Sequence, residues 1–347
     1  MPSSPLNWAI LGTGMIAGKV APCIRAASGC ALAAVGSREA ARARAFAREI
    51  GLPESAGCSA EDLLNRADVD AVYVTVPNSL HVPWCLRLLE AGKHVLCEKP
   101  LTPRAAEAER IAEASRRSGK LFAEGFMYLH HPQSELLIRA GRAGDAPGSH
   151  IGPLRTITAS FCLDLRPRPN AWTRFSHGLE GGAMMDLGCY PLSLARAVTG
   201  QEPVEMMALA RAAEPVNGEK RPVDALTSFS CRFAGGSGVV LQALCAIDSN
   251  AGIFAELVGD WGMLRTETPF RADPVRAEVR WTRFESHPQG AGAETIVIEN
   301  GGDRFINQFT SFAAAVRGER AMVPSAEWSV GQARAIERVY ALTKMGW

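Results

Sequence analysis

The sequence has almost no net charge: 37 Lys and Arg stand against 36 Asp and Glu, a formal +1. A nucleic-acid binder usually carries a strong basic excess to neutralise phosphates, so this balance argues against that class. Long apolar runs are missing as well. Nothing resembles a membrane span or the apolar core of a secretory signal, and the first apolar strand begins near Trp8. Cysteine occurs nine times, but never as a Cys-x-x-Cys pair or in a Cys/His cluster at zinc spacing. Cys97, Cys231 and Cys245 lie in apolar runs, as small hydrophobes do. These gaps point to a reducing cytoplasm, no disulfides, no structural metal, and neither nucleic acid nor membrane as a partner. Internal repeats and low-complexity tails are lacking too. What is left is a globular composition, 47% hydrophobic and 21% charged, over 347 residues. That is long for one domain and predicts two.

The chain opens with a short apolar strand, Asn7-Trp8-Ala9-Ile10-Leu11, and Gly12-Thr13-Gly14-Met15-Ile16-Ala17 follows at once. This is G-x-G-x-x-A set between a strand and a helix. The first glycine permits a tight turn, the second lets backbone approach a pyrophosphate, and the small third residue lets helix pack on strand. A second strand ends at Ser37-Arg38. An NAD site would usually place an acid there for the ribose 2′-hydroxyl, yet none comes before Glu39. A hydroxyl and a guanidinium suit a 2′-phosphate, which selects NADP(H) over NAD(H). The plainer alternative is that Arg38 only caps or solvates the next helix.

Helical patterns over 40–50 and 60–66 lead to a near-continuous apolar run at 69–76, the mark of a central parallel strand. It ends in Pro77-Asn78-Ser79-Leu80-His81, before a helix to residue 91. Val95-Leu96 then runs into Cys97-Glu98-Lys99-Pro100-Leu101, a helix spans 103–118, and 120–126 gives one more strand. Repeated βα units predict a doubly wound parallel sheet. Asn78, His81 and Lys99 then share with Gly12 the sheet edge where ligands sit. A lysine at that edge can meet a cofactor and a substrate together. By themselves, His81 also reads as an ordinary helix-start histidine, and Lys99 as a surface lysine.

After Phe126 the pattern changes. Residues 127–139 read as a helix and 140–153 as a loop, which lacks the G-K-[ST] ending of a phosphate loop. Strand-like runs follow at 154–163, 204–213, 226–233, 238–246, 254–259 and 295–299. Most are joined by short turns such as Ala234-Gly235-Gly236-Ser237, so a largely antiparallel sheet is expected. Amphipathic helices at 305–316 and 330–345 close the chain. Between the strands, Gly181-Gly182-Ala183-Met184-Met185-Asp186-Leu187-Gly188-Cys189-Tyr190 starts a helix that runs to residue 198. Asp186 and Tyr190 are four apart and share a helix face. A carboxylate and a phenol beside a lysine can move a proton off a sugar hydroxyl. Taken alone, the segment is a helix start with an early acid and a half-buried tyrosine. The expected division is 1–126 and 127–347, with the C-terminal helix packing back near the first domain.

In order and spacing these pieces resemble the glucose–fructose oxidoreductase / inositol dehydrogenase family, Gfo/Idh/MocA. The residues that carry the likeness are Gly12 to Ala17, Pro77 to His81, Glu98-Lys99-Pro100, Glu124-Gly125-Phe126-Met127-Tyr128 with His131-Pro132, and Gly181 to Tyr190. The resemblance implies an α/β Rossmann domain, then an α+β domain with a large open, mostly antiparallel sheet through which members form homodimers or homotetramers. It implies that Lys99 is the catalytic lysine, that Asp186 is the aspartate one turn before the catalytic position, and that Tyr190 stands where inositol dehydrogenases have histidine. Tyrosine there is similar to the branch of D-xylose dehydrogenases and dimeric dihydrodiol dehydrogenases, which is NADP-dependent. Arg174 looks like the arginine that precedes the glycine cluster. With Gly12, Thr13, Gly14, Met15, Ile16, Ser37, Arg38, Pro77, Asn78, His81, Glu98 and Lys99 it completes the expected cofactor set. Where a triple glycine is usual, this chain has Glu180-Gly181-Gly182, and the loop around 145–150 looks inserted.

The expected activity is reversible hydride transfer between nicotinamide C4 and a carbinol or carbonyl carbon of a carbohydrate-like small molecule, of the aldose 1-dehydrogenase type. Tyr190 exchanges the hydroxyl proton, and the Lys99 cation favours its phenolate; both groups titrate near about 10 when unperturbed. Asp186 orients the substrate. A keto- or anhydro-sugar reductase and a trans-dihydrodiol dehydrogenase are the alternatives within enzymes. A non-catalytic NADP(H) sensor is the alternative outside them, and such proteins tend to lose the lysine–aspartate–tyrosine set kept here.

Overall fold

A parallel pair of strands needs a long crossover, and a helix supplies it while covering the sheet's apolar face. In the computed structural model, which describes residues 4–235, 238–319, 321 and 323–345, this alternation runs as follows. β1 (Leu6–Leu11), α1 (Met15–Ala26), β2 (Cys30–Ser37), α2 (Ala40–Glu49), β3 (Gly57–Ser59) and α3 (Ala60–Leu64) come first. β4 (Ala71–Val74), α4 (His81–Glu90), β5 (His94–Glu98), α5 (Ala105–Ser118) and β6 (Phe122–Gly125) follow. The six strands lie in the order β3-β2-β1-β4-β5-β6, all pairings parallel. The chain leaves β1 in one direction and returns on its other side with β4. Ligands of such sheets bind beyond the carboxyl ends at that reversal. All four residues of β4 are buried, as a central strand requires.

The expected single helix over 127–139 is broken. Met127–His130 is a 3₁₀ turn, His131 caps the next helix by accepting the Gln133 N–H at 3.1 Å, and α6 is Pro132–Arg142. Proline has no N–H to give a helix interior but suits the first helical position, so Pro132 starts a helix and does not continue one. Beyond it come β7 (Leu154–Asp164), α7 (Trp172–Phe175), a π-helical turn (Met184–Gly188) and α8 (Cys189–Thr199). Then follow β8 (Pro203–Ala212), β9 (Asp224–Phe233), β10 (Val240–Ala246), β11 (Asp248–Gly259), β12 (Gly262–Thr266), β13 (Arg276–Arg283) and β14 (Gly292–Glu299). They form one sheet, β14-β13-β12-β11-β7-β10-β9-β8, antiparallel throughout except for β10 beside β7. Gly236 and Ser237 of the expected turn lie outside the described residues, but β9 and β10 pair antiparallel as anticipated.

β12 and β13 were not anticipated. In β13 only Ala277 and Val279 are buried, and charged residues alternate with them. One polar face of a half-buried strand hides the period of two when its buried side chains are this few. The chain continues as α9 (Arg304–Val316) and α10 (Ala326–Thr343).

The molecule divides into two units, Met1–His130 with Asp303–Ala333, and His131–Gly302 with Arg334–Trp347. In the first, α9 closes the sheet face. Phe309 meets Trp8 edge-on at 5.1 Å and Tyr73 at 5.2 Å, and Phe312 lies 5.0 Å from Trp8. Aromatic pairs at such spacings add to the burial of the rings themselves.

Candidate functional site

In the first unit the candidate residues gather at the carboxyl ends of β1, β2, β4 and β5. Gly12 follows β1 with φ +120°, and a Cβ there would lie 2.8 Å from the Thr75 carbonyl oxygen. Only glycine lets the two strand ends approach so closely. At Gly14 a Cβ would meet nothing within 4 Å. Gly14 caps α1 without a side-chain hydrogen bond, no acid stands in the first turn, and Met15 is exposed. The first N–H groups of α1 therefore face open space with the helix dipole behind them, an arrangement suited to a pyrophosphate. Ala17 is fully buried, which is the packing role of the small third residue. Thr13 and Ile16 are half-buried beside the turn.

Ser37 ends β2 buried, Arg38 is exposed, and Glu39 stands exposed at the N-cap position of α2. A guanidinium at this strand end, with no acid before it, fits a phosphate better than a bare ribose diol. After β4, Pro77 leads a 3₁₀ turn, Asn78–Leu80, into α4.

His81 is 1% exposed. Its Nδ1 lies 2.9 Å from the Pro100 carbonyl oxygen and its Nε2 3.0 Å from that of Val76. Burial pushes its pKa down to about 4 against the opposite pull of those carbonyls. The ring thereby ties the loop after β4 to the Lys99 turn. Two further contacts hold that turn. The Tyr73 hydroxyl donates to Glu98, the last residue of β5, and the Leu101 N–H donates to Glu124 Oε1 at 2.9 Å. Lys99 is half-buried between these ties, and the Lys99–Pro100 peptide is cis. Tyr73 and the support it gives were missed by the sequence reading. The signal was a hydroxyl-bearing ring inside the apolar run of β4.

In the second unit a Cβ at Gly181 would sit 2.4 Å from the Arg174 carbonyl oxygen, and one at Gly182 (φ +115°) 2.2 Å from Asp224 Oδ1. Glu180 takes φ +57°, a left-handed conformation natural to glycine, which gives the usual triple glycine a physical reason. The expected regular helix begins instead as the π-helical turn, marked by Cys189 N–H reaching back to the Met184 carbonyl. Wide turns of this kind are frequent at functional sites. A Cβ at Gly188 would meet Cys245 Sγ at 2.6 Å, so the turn presses on the sheet.

Asp186 sits in this turn and accepts from Arg174 Nε at 3.1 Å. Arg174, expected toward the cofactor, is thus brought onto Asp186. Tyr190, in the first turn of α8, is 5% exposed. Its ring lies 5.1 Å from Phe161 and 5.3 Å from Phe270, which stack on each other at 5.0 Å. At the end of β7, Asp164 and Arg166 pair with each other at 2.7 Å. Phe270 and Asp224 were not anticipated. Asp224 opens β9 and looks, in sequence, like a turn residue before a strand. Among the described residues no group of three His, Cys, Asp or Glu could hold a metal, and no helix is long and apolar enough to cross a membrane.

A parallel sheet with a glycine turn at an open helix start, followed by a mixed α+β unit, defines a two-part dinucleotide-dependent oxidoreductase. The GFO_IDH_MocA model, described as an oxidoreductase family with an NAD-binding Rossmann fold, matches residues 6–126. The GFO/IDH/MocA C-terminal domain model matches 148–265. The chain is 32% identical over 349 residues, 100% of both proteins, to a dTDP-3,4-didehydro-2,6-dideoxy-alpha-D-glucose 3-reductase of Streptomyces antibioticus. It is 39% identical over 196 residues to a D-xylose 1-dehydrogenase (NADP(+)) of Haloferax volcanii, covering 56% of this chain and 58% of that one. A 3-ketoreductase from Actinomadura kijaniata, solved with NADP and TDP-benzene, superposes with a TM-score of 0.82 at 29% identity over 98% of each chain. The chain belongs to the GFO/IDH/MocA family and is an NAD(P)-dependent oxidoreductase.

Proposed function

We propose that the protein transfers hydride between NADP(H) and a carbinol or carbonyl carbon of a sugar, with Tyr190 as acid/base. The observation that carries this reading is Tyr190 itself, a phenol packed against the stacked pair Phe161 and Phe270 four residues beyond the Arg174-paired Asp186. Rigid aromatic walls hold a hydroxyl in one direction, which proton transfer at a defined atom requires. When bound, the nicotinamide supplies or accepts the hydride. Gly12 to Ile16 take the pyrophosphate, and Ser37 and Arg38 the 2′-phosphate. Pro77, Asn78 and Glu98 shape the same edge. In reduction Tyr190 gives its proton to the carbonyl oxygen, and in oxidation it takes one from the hydroxyl. Lys99 supplies the positive charge that favours the phenolate, and Asp186 orients a second hydroxyl. His81 serves by holding the Lys99 turn.

An aldose oxidised at C1 agrees with the similarity to the D-xylose enzyme. A keto-sugar carried on a nucleotide is favoured by likeness that runs over the whole chain to the dTDP-sugar reductase. The test is NADPH absorbance against a panel of aldoses, inositols, dihydrodiols, keto-sugars and nucleotide-linked keto-sugars, repeated with NAD(H). Turnover of a nucleotide-linked keto-sugar far above that of free aldoses supports the second substrate class, and the reverse result supports the first. No turnover of any sugar by the wild type removes the reading.

A further inference from the structure

We infer that Asp224 is the positioning residue for Asp186 and Tyr190, holding in place the π-helical turn that carries the first and launches the helix of the second. The inference rests on the roles proposed above for those two residues.

Asp224 is 1% exposed. A carboxylate so deeply buried is tolerated only when its oxygens are filled by donors. Three donors reach it: Met184 N–H at 2.7 Å, Thr227 Oγ1 at 2.6 Å and Tyr340 Oη at 3.0 Å. Met184 is the first residue of the π-helical turn, so its N–H is one of the orphan donors at a helix start, and no side-chain cap serves that end otherwise. The Tyr340 hydroxyl, donating to the same carboxylate, ties α10 to this cap. Gly182 completes the device, because any Cβ there would displace Asp224 Oδ1.

A π turn is less favourable than an α turn and persists where something holds it. Release at Met184 lets it tighten, and moving one residue around a helix rotates a side chain by about 100°. Asp186 would then leave the position in which Arg174 Nε now meets it.

Burial raises the Asp224 carboxyl to about 6, while the Thr227, Met184 and Tyr340 hydrogen bonds pull the other way. The titratable groups packed on it are Tyr340 from α10 and Cys245 from β10, both pushed further up by burial. Asp186 is the charge on the turn itself, and Arg174 from α7 pairs with it. Of the groups packed on the carboxylate, only Asp224 therefore titrates near 6.

The experiment measures kcat and KM from pH 5 to 8 for wild type, Asp224→Asn, Tyr340→Phe and Tyr190→Phe, with melting temperature and NADPH affinity alongside. Wild-type kcat should fall about tenfold per pH unit below about 6. Tyr340→Phe removes a donor that favours the carboxylate, so its acid limb should move to higher pH with NADPH affinity unchanged. Asp224→Asn should lose the limb and turn over at least about tenfold more slowly at pH 7.5. If that variant does not fold, the Tyr340→Phe shift decides alone. Wild-type limbs and rates in both variants, with Tyr190→Phe inactive, overturn the role of Asp224 only. A Tyr190→Phe enzyme near wild type overturns the assignment of Tyr190 and this inference with it.

Discussion

The two sheets deliver their candidate residues by different means. In the parallel sheet topology does the work: Gly12, Ser37, Asn78 and Lys99 all lie at or just beyond carboxyl ends of strands, so strand order alone brings them to one edge. In the eight-stranded sheet the strands form a platform. Asp186 and Tyr190 lie on a π-helical turn and the helix after it, and their placement depends on side chains from β7, β9 and α10. A site made by topology tolerates changes in its neighbours, whereas a site made by packing is set by each of them. The first should respond to substitution mainly at the residue touched. The second should respond also at a distance.

The sharpest test of the contrast is Tyr190→Phe, which keeps the ring against Phe161 and Phe270 and deletes only the hydroxyl. Turnover should drop about 10²–10⁴-fold with NADPH affinity unchanged, as measured by single-turnover absorbance and fluorescence titration. On the proposed role of Lys99, Lys99→Ala should fall in the same range and, in the reductive direction, shift the alkaline limb of the rate profile upward, since a cation that would favour the phenolate is removed. Equal pH profiles for Lys99→Ala and wild type would separate the two residues and confine Lys99 to the cofactor. Next in size is Arg38→Ala. Losing a charge-assisted contact to a phosphate is worth about 1.5–3 kcal/mol, or about 10–150-fold in Kd at 1.4 kcal/mol per decade. NADPH binding should weaken by that factor while NADH binding barely moves. Equal losses for both cofactors would return Arg38 to the role of a solvated residue at the start of α2.

The same difference governs what could be read from the residues alone. The βα alternation, the glycine turn and the change to an antiparallel sheet were all legible, because each rests on local periodicity or on one glycine in a defined turn. The π-helical turn was not, since Gly181 to Tyr190 has the spacing of an ordinary helix and the residues that meet the turn, Asp224 and Cys245, are far away in the chain. Pro132 could have been read as a helix start rather than an interior residue. Tyr73 and Glu124 lay in runs classed as apolar strand, and a buried polar side chain shows its purpose only when its partner is known. Here the partners are Glu98 and the Leu101 N–H. His81 illustrates the limit: its position at the edge was visible, but its engagement by two carbonyls was not.

Acid should also separate the units, with smaller effect. His81, His94 and His130 in the first are each pushed down to about 4 by burial, from an ordinary 6.5. Between those values the unfolded chain binds more protons, so stability present above about 6.5 is lost as pH falls toward 4. Asp224, raised to about 6 in the second unit, pulls the opposite way, since there the folded state holds the extra proton. Hydrogen exchange at pH 7 and 5 should therefore show protection falling more steeply across β1, β4 and β5 than across β9 and β10. A uniform change would mean that these buried groups do not set the acid response.

The smallest effect on catalysis is expected at the far edge of the second sheet, where we propose that a second copy of the chain would dock. On β8, Met207 and Leu209 are 73% and 78% exposed and pair across to Ser230 and Ser228, so they project from one face of the sheet. Two large apolar side chains left in water on an edge strand invite both lateral pairing and stacking of faces. A charge at either position should oppose a second copy without touching Tyr190 or Lys99. Met207→Asp with Leu209→Asp should lower the mass seen by light scattering to that of one chain while leaving kcat within about twofold, as is usual for surface substitutions away from a site. A variant that keeps its mass would move the interface elsewhere. One that dissociates and loses turnover together would show that the placement of Asp186 and Tyr190 needs the second copy.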